Sequence, residues 1–519
     1  MENIHTLVPA NRTETLELRR ESISKKTTAN KKSALGQFMT AAPIADFMAG
    51  LFENVKGRDI RLLDAGAGMG SLTAAFERMA GGNEVASIAA DAWEIDPDML
   101  PHLHETLDGL AATGRHFSFC IRSDNFVSEA SREIALAKPP RFTHAILNPP
   151  YKKLKTKSDE RLALRDAGIE TSNFYSAFVA LAVMMLEDGG EIVAITPRSF
   201  CNGTYFRPFR QILLRRTALL RFHVFTSRTT AFKGDDVLQE NIIFHLRKGA
   251  PQGQVVVSES SDSTFSDVHE RSVPFGEVVL ADDRELIFHL VPEDDDGGHA
   301  DVSSRFSNSL EDLGLDVSTG PVVDFRLKAH LSGEPRQRSV PLIYPLHFER
   351  GFVSHPKAAA KKANWIEAND DTGKWLMPAG HYVIVRRLSS KEERRRLVPA
   401  VFDAERIQCE RVGFENHLNV FHRKKAGLDP EIARGLAVWL GSTAADDWLR
   451  RFNGHTQVNA GDLRALRYPD LATLAAWGRA VGEALPPQDA IDELVEASCR
   501  GTAKSACGNG RQRYGLALG

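Results

Sequence analysis

The chain has 519 residues, 42% of them hydrophobic and 26% charged, with 65 Lys and Arg against 68 Asp and Glu for a formal net charge of -3. That length admits two or three domains with cores of their own, and the composition is that of a soluble globular protein. The charge excludes a uniformly basic nucleic-acid binder but leaves room for a local basic face on a neutral body.

The N-terminal stretch holds no continuous apolar run, so neither a secretory signal nor a membrane anchor is indicated, and residues 1–32 read as a flexible extension. Five cysteines (Cys120, Cys201, Cys409, Cys499, Cys507) form no CxxC pair or close ligand cluster. They read as free thiols in a reducing cytosol, with no metal site.

From Pro43 to Phe52 the residues Ile44, Phe47, Met48, Leu51 and Phe52 recur at helical spacing. Ile60 to Leu63 reads as a strand running into Asp64-Ala65-Gly66-Ala67-Gly68-Met69-Gly70, and a helix begins near Ser71 with Leu72, Ala75, Phe76 and Met79 on one side. The order repeats. Val85 to Trp93 is a strand ending at Glu94 with a helix from Pro97; Phe117 to Ile121 is a strand stopping near Asp124; Phe142 to Leu147 is a strand ending in Asn148-Pro149-Pro150-Tyr151. A helix over Phe174 to Leu186 and strands at Glu191 to Thr196 and Asn241 to Leu246 follow. Strands alternating with helices predict an α/β fold, an open sheet covered on both faces.

The character changes at Gly249. Residues 249–316 begin rich in Ser, Asp, Gly and Pro and read as a linker or insertion. Residues 317–470 are mixed, with short strands such as Val340 to Tyr344 and Tyr382 to Val385 and helices between Pro430 and Phe452; residues 471–519 read as a helical segment and tail. Basic runs stand at Arg336 and Arg338, Lys357, Lys361-Lys362, Arg386-Arg387, Lys391 and Arg394-Arg395-Arg396. Such groups suit phosphates, while a normally solvated charged surface is an equally good reading of any one of them.

Glycines between strand and helix permit a tight turn and close approach of a ligand, and the helix N-terminus favours an anion. The third glycine comes two residues after the second, which departs from the dinucleotide fingerprint. Glu94, with Asp96, ends the next strand, where a carboxylate can accept from both ribose hydroxyls. Asp124, one strand later, could accept from an adenine amino group or else cap a helix. In Asn148-Pro149-Pro150-Tyr151 the prolines hold the chain extended, so that the Asn148 amide oxygen and the Pro149 carbonyl can turn to one point. An exocyclic NH2 has two hydrogens to give them, and its nitrogen then becomes a competent nucleophile toward a sulfonium methyl. Tyr151 offers a flat face for a base.

These segments resemble the gamma-class N6-adenine DNA methyltransferases of type II restriction-modification systems, the group of the Taq-type enzymes. The resemblance covers residues 33 to 247. Leu35-Gly36-Gln37-Phe38-Met39-Thr40 is similar to the leading motif that closes over the methionine part of the cofactor, Asp64 to Gly70 to its cofactor loop, and Asn148 to Tyr151 to its catalytic tetrapeptide. It implies a Rossmann-like catalytic domain over 33–248 that binds S-adenosyl-L-methionine, followed by a mixed α+β DNA target-recognition region over 317–470. The residues implied at the cofactor are Gln37, Phe38, Thr40, Asp64, Ala65, Gly66, Gly68, Glu94, Ile95, Asp124, Asn125, Phe126 and Asn148. Those implied at the base are Asn148, Pro149, Pro150, Tyr151 and Phe232, the last meeting the far face of the flipped base, with Phe225 nearby as a rival and a plain core role equally open. Val317 to Gly320 with Val323 to Arg326 resembles the opening of the recognition region, and His455 to Leu463 the segment closing it.

The implied activity is methyl transfer from S-adenosylmethionine to the N6 of an adenine flipped out of double-stranded DNA. A cytoplasmic location and a separate cognate restriction endonuclease are implied with it. Cytosine N4, RNA adenine or a protein glutamine amide are alternative acceptors, since each presents a planar NH2; the long region after residue 248 favours duplex DNA. Cytosine C5 chemistry needs a cysteine nucleophile, and no Pro-Cys pair occurs. No ordered Asp, Glu and Lys set for a nuclease is found in the N-terminal extension.

Overall fold

The structure is a computed structural model that describes residues 40–81, 85–112, 116–225, 241–281, 283–290, 306–358, 362–389, 393–452 and 457–506. Two compact units divide the chain, Met1–Val291 and Pro292–Gly519.

The first unit is built on a sheet with nine described strands: β1 Asp59–Ala65, β2 Ser87–Trp93, β3 Phe117–Arg122, β4 Phe142–Leu147, β5 Leu186–Pro197, β6 Thr217–Phe225, β7 Asn241–Lys248, β8 Gln254–Ser260 and β9 His269–Pro274. Their spatial order is β3-β2-β1-β4-β5-β7-β6-β8-β9. The pairs from β3 to β5 are parallel, and β7 runs antiparallel between β5 and β6. Helices α1 Ala42–Gly50, α2 Ser71–Gly81, α3 Leu100–Ala111, α4 Phe126–Ala135, α5 Asp159–Asp166, α6 Phe174–Met185 and α7 Arg207–Arg216 accompany the sheet, with a short helix Phe275–Val278 after β9. Buried apolar clusters of separate membership include Ile44, Leu62, Phe76, Leu103 and Ile243 in one and Leu63, Phe126, Phe178, Phe222 and Phe244 in the other. Neighbouring residues Leu62 and Leu63 point to opposite sides of β1, so the two clusters cover the two faces of the sheet. This is the α/β arrangement read from the alternating pattern.

The sheet extends beyond the expected boundary at 248. β8 pairs in parallel with β6, and β9 with β8 antiparallel. The stretch assigned to a linker or insertion therefore begins with two strands of the first unit, anchored by buried Val255 and Val257. Residues 291–305 within it lie outside the described residues.

The second unit is mixed α+β. Among the described residues it has a six-stranded sheet and a five-stranded sheet, with short strands between Asp316 and His422. Tyr382, Phe402 and Phe414 pack edge-on or tilted at 5.2–6.2 Å in its core. The helices Pro430–Gly441 and Leu471–Arg479 cross so closely that a Cβ on Gly435 would come 1.8 Å from the Leu474 carbonyl oxygen, and one on Gly478 1.8 Å from that of Glu431. The helical segment after residue 471 is thus packed into this unit. No helix among the described residues is long and apolar enough to cross a membrane.

Candidate active site

In an open α/β sheet, ligands bind beyond the carboxyl ends of the strands where the strand order reverses. Here that point lies between β1 and β4, because β2 and β3 extend to one side and β4 and β5 to the other. The acids and the amide singled out in the sequence stand on this edge: Asp64 next to last in β1, Glu94 directly after β2, Asp124 two residues after β3 and Asn148 directly after β4.

The glycine turn is tied to the neighbouring strand by the backbone N–H groups of Gly66 and Ala67, both donating to the Trp93 carbonyl at 2.8 Å. Gly66, Gly68 and Gly70 all have positive φ (+79°, +56° and +84°), which a side chain would strain. A Cβ on Gly70 would press against Leu103 at 3.0 Å, so this glycine brings turn and α3 together. At Gly68 a Cβ would meet nothing within 4 Å, which marks open space over the turn.

Asp64 is fully buried; its Oδ2 accepts from Thr73 Oγ1 on α2 at 2.7 Å, while Oδ1 is buried with no hydrogen-bond partner. Burial pushes its carboxyl up to about 7, against the hydrogen bond from Thr73, with the Glu94 charge adding to the rise. Glu94 is also buried, and burial raises it, although it accepts from the Gly68 N–H at 2.8 Å and the Asp96 N–H at 2.7 Å. Next to it Ile95 is 54% exposed, an apolar face turned to solvent beside a carboxylate.

At β3 the sequence alternatives separate. Asn125, not Asp124, caps α4, its side chain accepting from the Ser128 N–H at 3.3 Å, and Asp124 is exposed. Phe126 is buried with its ring between Trp93 (5.4 Å) and Phe178 (4.9 Å), so what it can show a ligand is its backbone in the first turn of α4. Ala65 is likewise fully buried and offers only backbone.

In the tetrapeptide, the Asn148 Nδ2 donates to Thr40 Oγ1 at 2.9 Å and the Tyr151 hydroxyl donates to Asn148 Oδ1 at 3.1 Å, with the Ile195 carbonyl of β5 also 3.4 Å from that hydroxyl. These bonds fix the Asn148 amide with one known sense, nitrogen toward Thr40 and oxygen toward Tyr151. An amide oxygen has two lone pairs and can accept more than one hydrogen bond. Burial pushes the Tyr151 phenol far up, which keeps it a neutral donor. Gly66 closes the gap between the two loops, since a Cβ there would lie 3.9 Å from both the Asn148 carbonyl oxygen and Pro150 Cδ.

Gln37, Phe38 and Phe232 lie outside the described residues, as do His455 and Thr456. Phe225, the alternative to Phe232, is 5% exposed and belongs to the sheet core against Phe265. Thr73, Tyr175 and Phe178 are neighbours of the site that sequence reasoning missed. A hydroxyl on the first helical turn after the glycines was the available signal for Thr73; the two aromatics are placed by helix packing alone. Lys152, Lys153, Lys155 and Lys157, directly after the tetrapeptide, are exposed and form a basic strip also missed.

Of the basic runs expected to meet phosphate, several are engaged within the second unit. Arg396 is fully buried and donates to the Ser389 carbonyl; Arg395 donates to the Ser442 carbonyl and Thr443; Arg386 pairs with Glu393, Lys357 with Glu349 and Lys362 with Asp324. Arg336, Arg338 and Arg394 are exposed.

The sheet order gives a Rossmann-like fold whose strand edge carries a ligand crevice at the point where the order reverses. Residues 85–232 match the family model of the Eco57I restriction-modification methylase. The chain is 47% identical over 458 residues to the type II methyltransferase M.BsuBI of Bacillus subtilis, spanning 87% of this chain and 91% of that protein. It is 43% identical over 486 residues to the type II methyltransferase M.PstI of Providencia stuartii, spanning 92% and 96%. Among solved structures it is similar to the DrdV–DNA complex (TM-score 0.48, 14% identity, 90% of this chain and 59% of that one) and to the type IIG restriction endonuclease BpuSI (TM-score 0.45, 14%, 90% and 63%). The chain belongs to the gamma-class N6-adenine DNA methyltransferases of restriction-modification systems, with S-adenosylmethionine as methyl donor.

Proposed function

We propose that Asn148-Pro149-Pro150-Tyr151 is the centre at which this DNA adenine N6-methyltransferase transfers its methyl group, in duplex DNA whose target adenine is flipped out of the stack. The observation that carries the assignment is the fixed Asn148 amide at the end of β4, held by Thr40 on one side and Tyr151 on the other, beside the glycine turn. Asn148 Oδ1 and the Pro149 carbonyl accept the two N6 hydrogens, so positive charge developing on that nitrogen meets two oriented dipoles. No base is needed before attack: the N6 lone pair would form the new N–C bond as the methyl–sulfur bond breaks, the donor would leave as the neutral thioether, and the proton would leave the charged nitrogen afterwards. Tyr151 gives the adenine a face to stack on.

The donor fits the crevice on two counts: a buried Asp64 oxygen awaits a hydrogen-bond partner, and the space over Gly68 is open. S-adenosylmethionine supplies an electrophilic methyl on a sulfonium. Asp64 and the turn at Gly66 and Gly68 would hold its methionine end, with Gln37, Phe38 and Thr40 assigned to the motif that would close over it. Glu94 accepts from the ribose, and Ile95, Asp124, Asn125 and Phe126 border the adenine. Ala65 contributes backbone, and Phe232 meets the far face of the target base.

Residues 317–470 read the target sequence, with the protein acting in the cytoplasm alongside a separate cognate endonuclease that its methylation blocks. Expression in a methylation-free host followed by single-molecule sequencing tests this. One short motif carrying N6-methyladenine at a fixed position is the expected result; unmodified DNA, or methylation on cytosine, overturns it.

A further inference from the structure

The polypeptide leaves β5 at Pro197, on the same sheet edge as Asn148, and makes a compact turn of two 3-10 segments, Arg198–Phe200 and Thr204–Phe206, before α7. At its tip Tyr205 is 83% exposed, the most exposed of the large hydrophobic side chains among the described residues. Single exposed aromatics are ordinary on protein surfaces. The mounting of this one is not ordinary.

The turn is held from beneath by a fully buried guanidinium. Arg210 donates through Nη1 to the carbonyls of Phe200 (2.7 Å) and Gly203 (2.8 Å), and through Nε and Nη2 to that of Glu285 (3.1 and 2.7 Å). Gly203 is packed so tightly that a Cβ would stand 2.8 Å from the Ser199 carbonyl oxygen and 2.9 Å from Phe206. Burying a charge carries a desolvation cost that these four hydrogen bonds offset, so they tie the turn firmly to the guanidinium.

That turn is also in register with the catalytic loop. The ring next to Tyr205, Phe206, stacks on Tyr175 at 5.5 Å, and Tyr175 meets Tyr151 edge-on at 6.3 Å while its hydroxyl bonds to Ser199 at 2.8 Å. A continuous aromatic series thus runs from the catalytic tetrapeptide to the base of the exposed ring. Charge agrees with this placement, since Arg207 beside Tyr205 and the strip Lys152, Lys153, Lys155 and Lys157 beyond Tyr151 are all exposed and cationic.

We infer that Tyr205 is a DNA-contacting residue, its ring packing on a nucleotide of the target strand next to the extruded adenine. The role rests on the proposed reaction at Asn148. A base opposite or beside a flipped nucleotide loses a stacking neighbour, and a preorganised aromatic face replaces it with little ordering cost.

The test uses the full-length protein and a duplex carrying the motif mapped by sequencing, with Tyr205→Ala, Tyr205→Phe and Tyr205→Trp compared with wild type. Stacking of one base on an aromatic corresponds to roughly a 5- to 150-fold effect. Tyr205→Ala is expected to weaken duplex binding or raise the duplex KM within that range. Its S-adenosylmethionine affinity stays at the wild-type value, and the Phe and Trp variants recover most of the loss. A mismatch opposite the target adenine, which makes extrusion easier, narrows the deficit of the Ala variant. Wild-type duplex affinity and turnover in Tyr205→Ala overturn the inference, and so does a parallel loss of cofactor binding, which marks a structural role. Inactive wild-type protein would instead count against the reaction at Asn148.

Discussion

Asp64 joins burial, an unpartnered oxygen and a raised pKa at one atom group, and its proposed role at the donor predicts pH-sensitive cofactor binding. In the free protein its carboxyl titrates at about 7, well above 3.8. Folding therefore takes up a proton here, and the contribution of this group to stability falls as pH rises from about 4 through about 7. With Asp64 in its proposed role, a cationic donor would favour the carboxylate, so its binding would release that proton, strengthen as pH rises toward 7 and level off above it. Calorimetric titration with S-adenosylmethionine between pH 5.5 and 8.5 should show this slope in wild type and a much flatter profile in Asp64→Asn. Identical slopes in both proteins would remove Asp64 from the linkage. Thr73, whose hydroxyl holds the other oxygen, belongs to the same device. No reading of the linear chain pairs residues 64 and 73 in this way before the strand and helix are placed, whereas Asp64, Glu94 and Asn148 are legible because each terminates an apolar strand.

At the scale of elements, the glycines at the crossing of Pro430–Gly441 with Leu471–Arg479 are the clearest packing constraint in the second unit. In an exposed helix Gly→Ala gains about 1 kcal/mol from propensity. At Gly435 the new methyl would overlap the Leu474 backbone, and overpacking of that kind costs about 1–3 kcal/mol or more. Gly435→Ala is therefore predicted to lower the thermal or denaturant midpoint; an unchanged or raised midpoint would show that the helices separate freely.

Strands β1 to β5 and β7 were recognisable from their apolar runs and turn punctuation, with ends displaced by a few residues. β6 was not, because Thr217 follows Arg215-Arg216 of α7 with no Gly or Pro between helix and strand. β9 was hidden for another reason: as an outer strand it buries only Val273 and shows no alternation. The same composition, polar and loop-like, disguised Val255 and Val257 of β8 and put the expected domain boundary too early.

For the whole molecule, division of labour between the two units is the central architectural expectation, and the corrected boundary sharpens it. A fragment ending at Val291 keeps all nine described strands of the first sheet, while one ending at residue 248 strips away β8 and leaves β6 unpaired on that side. The longer fragment is predicted to bind S-adenosylmethionine with affinity near that of the full chain. It should lose the preference for the mapped motif over a scrambled duplex at matched salt, because backbone charge contacts carry little sequence information. Retention of the full preference by the fragment would place recognition in the first unit. The basic runs teach a related lesson. Charge is visible in sequence, but the Arg395 and Arg396 side chains turn inward to the Ser442 and Ser389 carbonyls, and only the folded chain separates them from exposed Arg336, Arg338 and Arg394.

The claim on which all of this depends is that the Asn148 amide activates the target nitrogen. Removing it deletes an acceptor that matters as charge develops in the transition state, where one oriented dipole is worth on the order of 100- to 1,000-fold in turnover. The direct measurement is single-turnover methylation of the mapped duplex by wild type and Asn148→Ala, paired with S-adenosylmethionine binding by both. Transfer by Asn148→Ala is expected to fall by at least that factor, with cofactor affinity largely retained. A folded Asn148→Ala protein that binds the cofactor and methylates adenine at nearly the wild-type rate would contradict it.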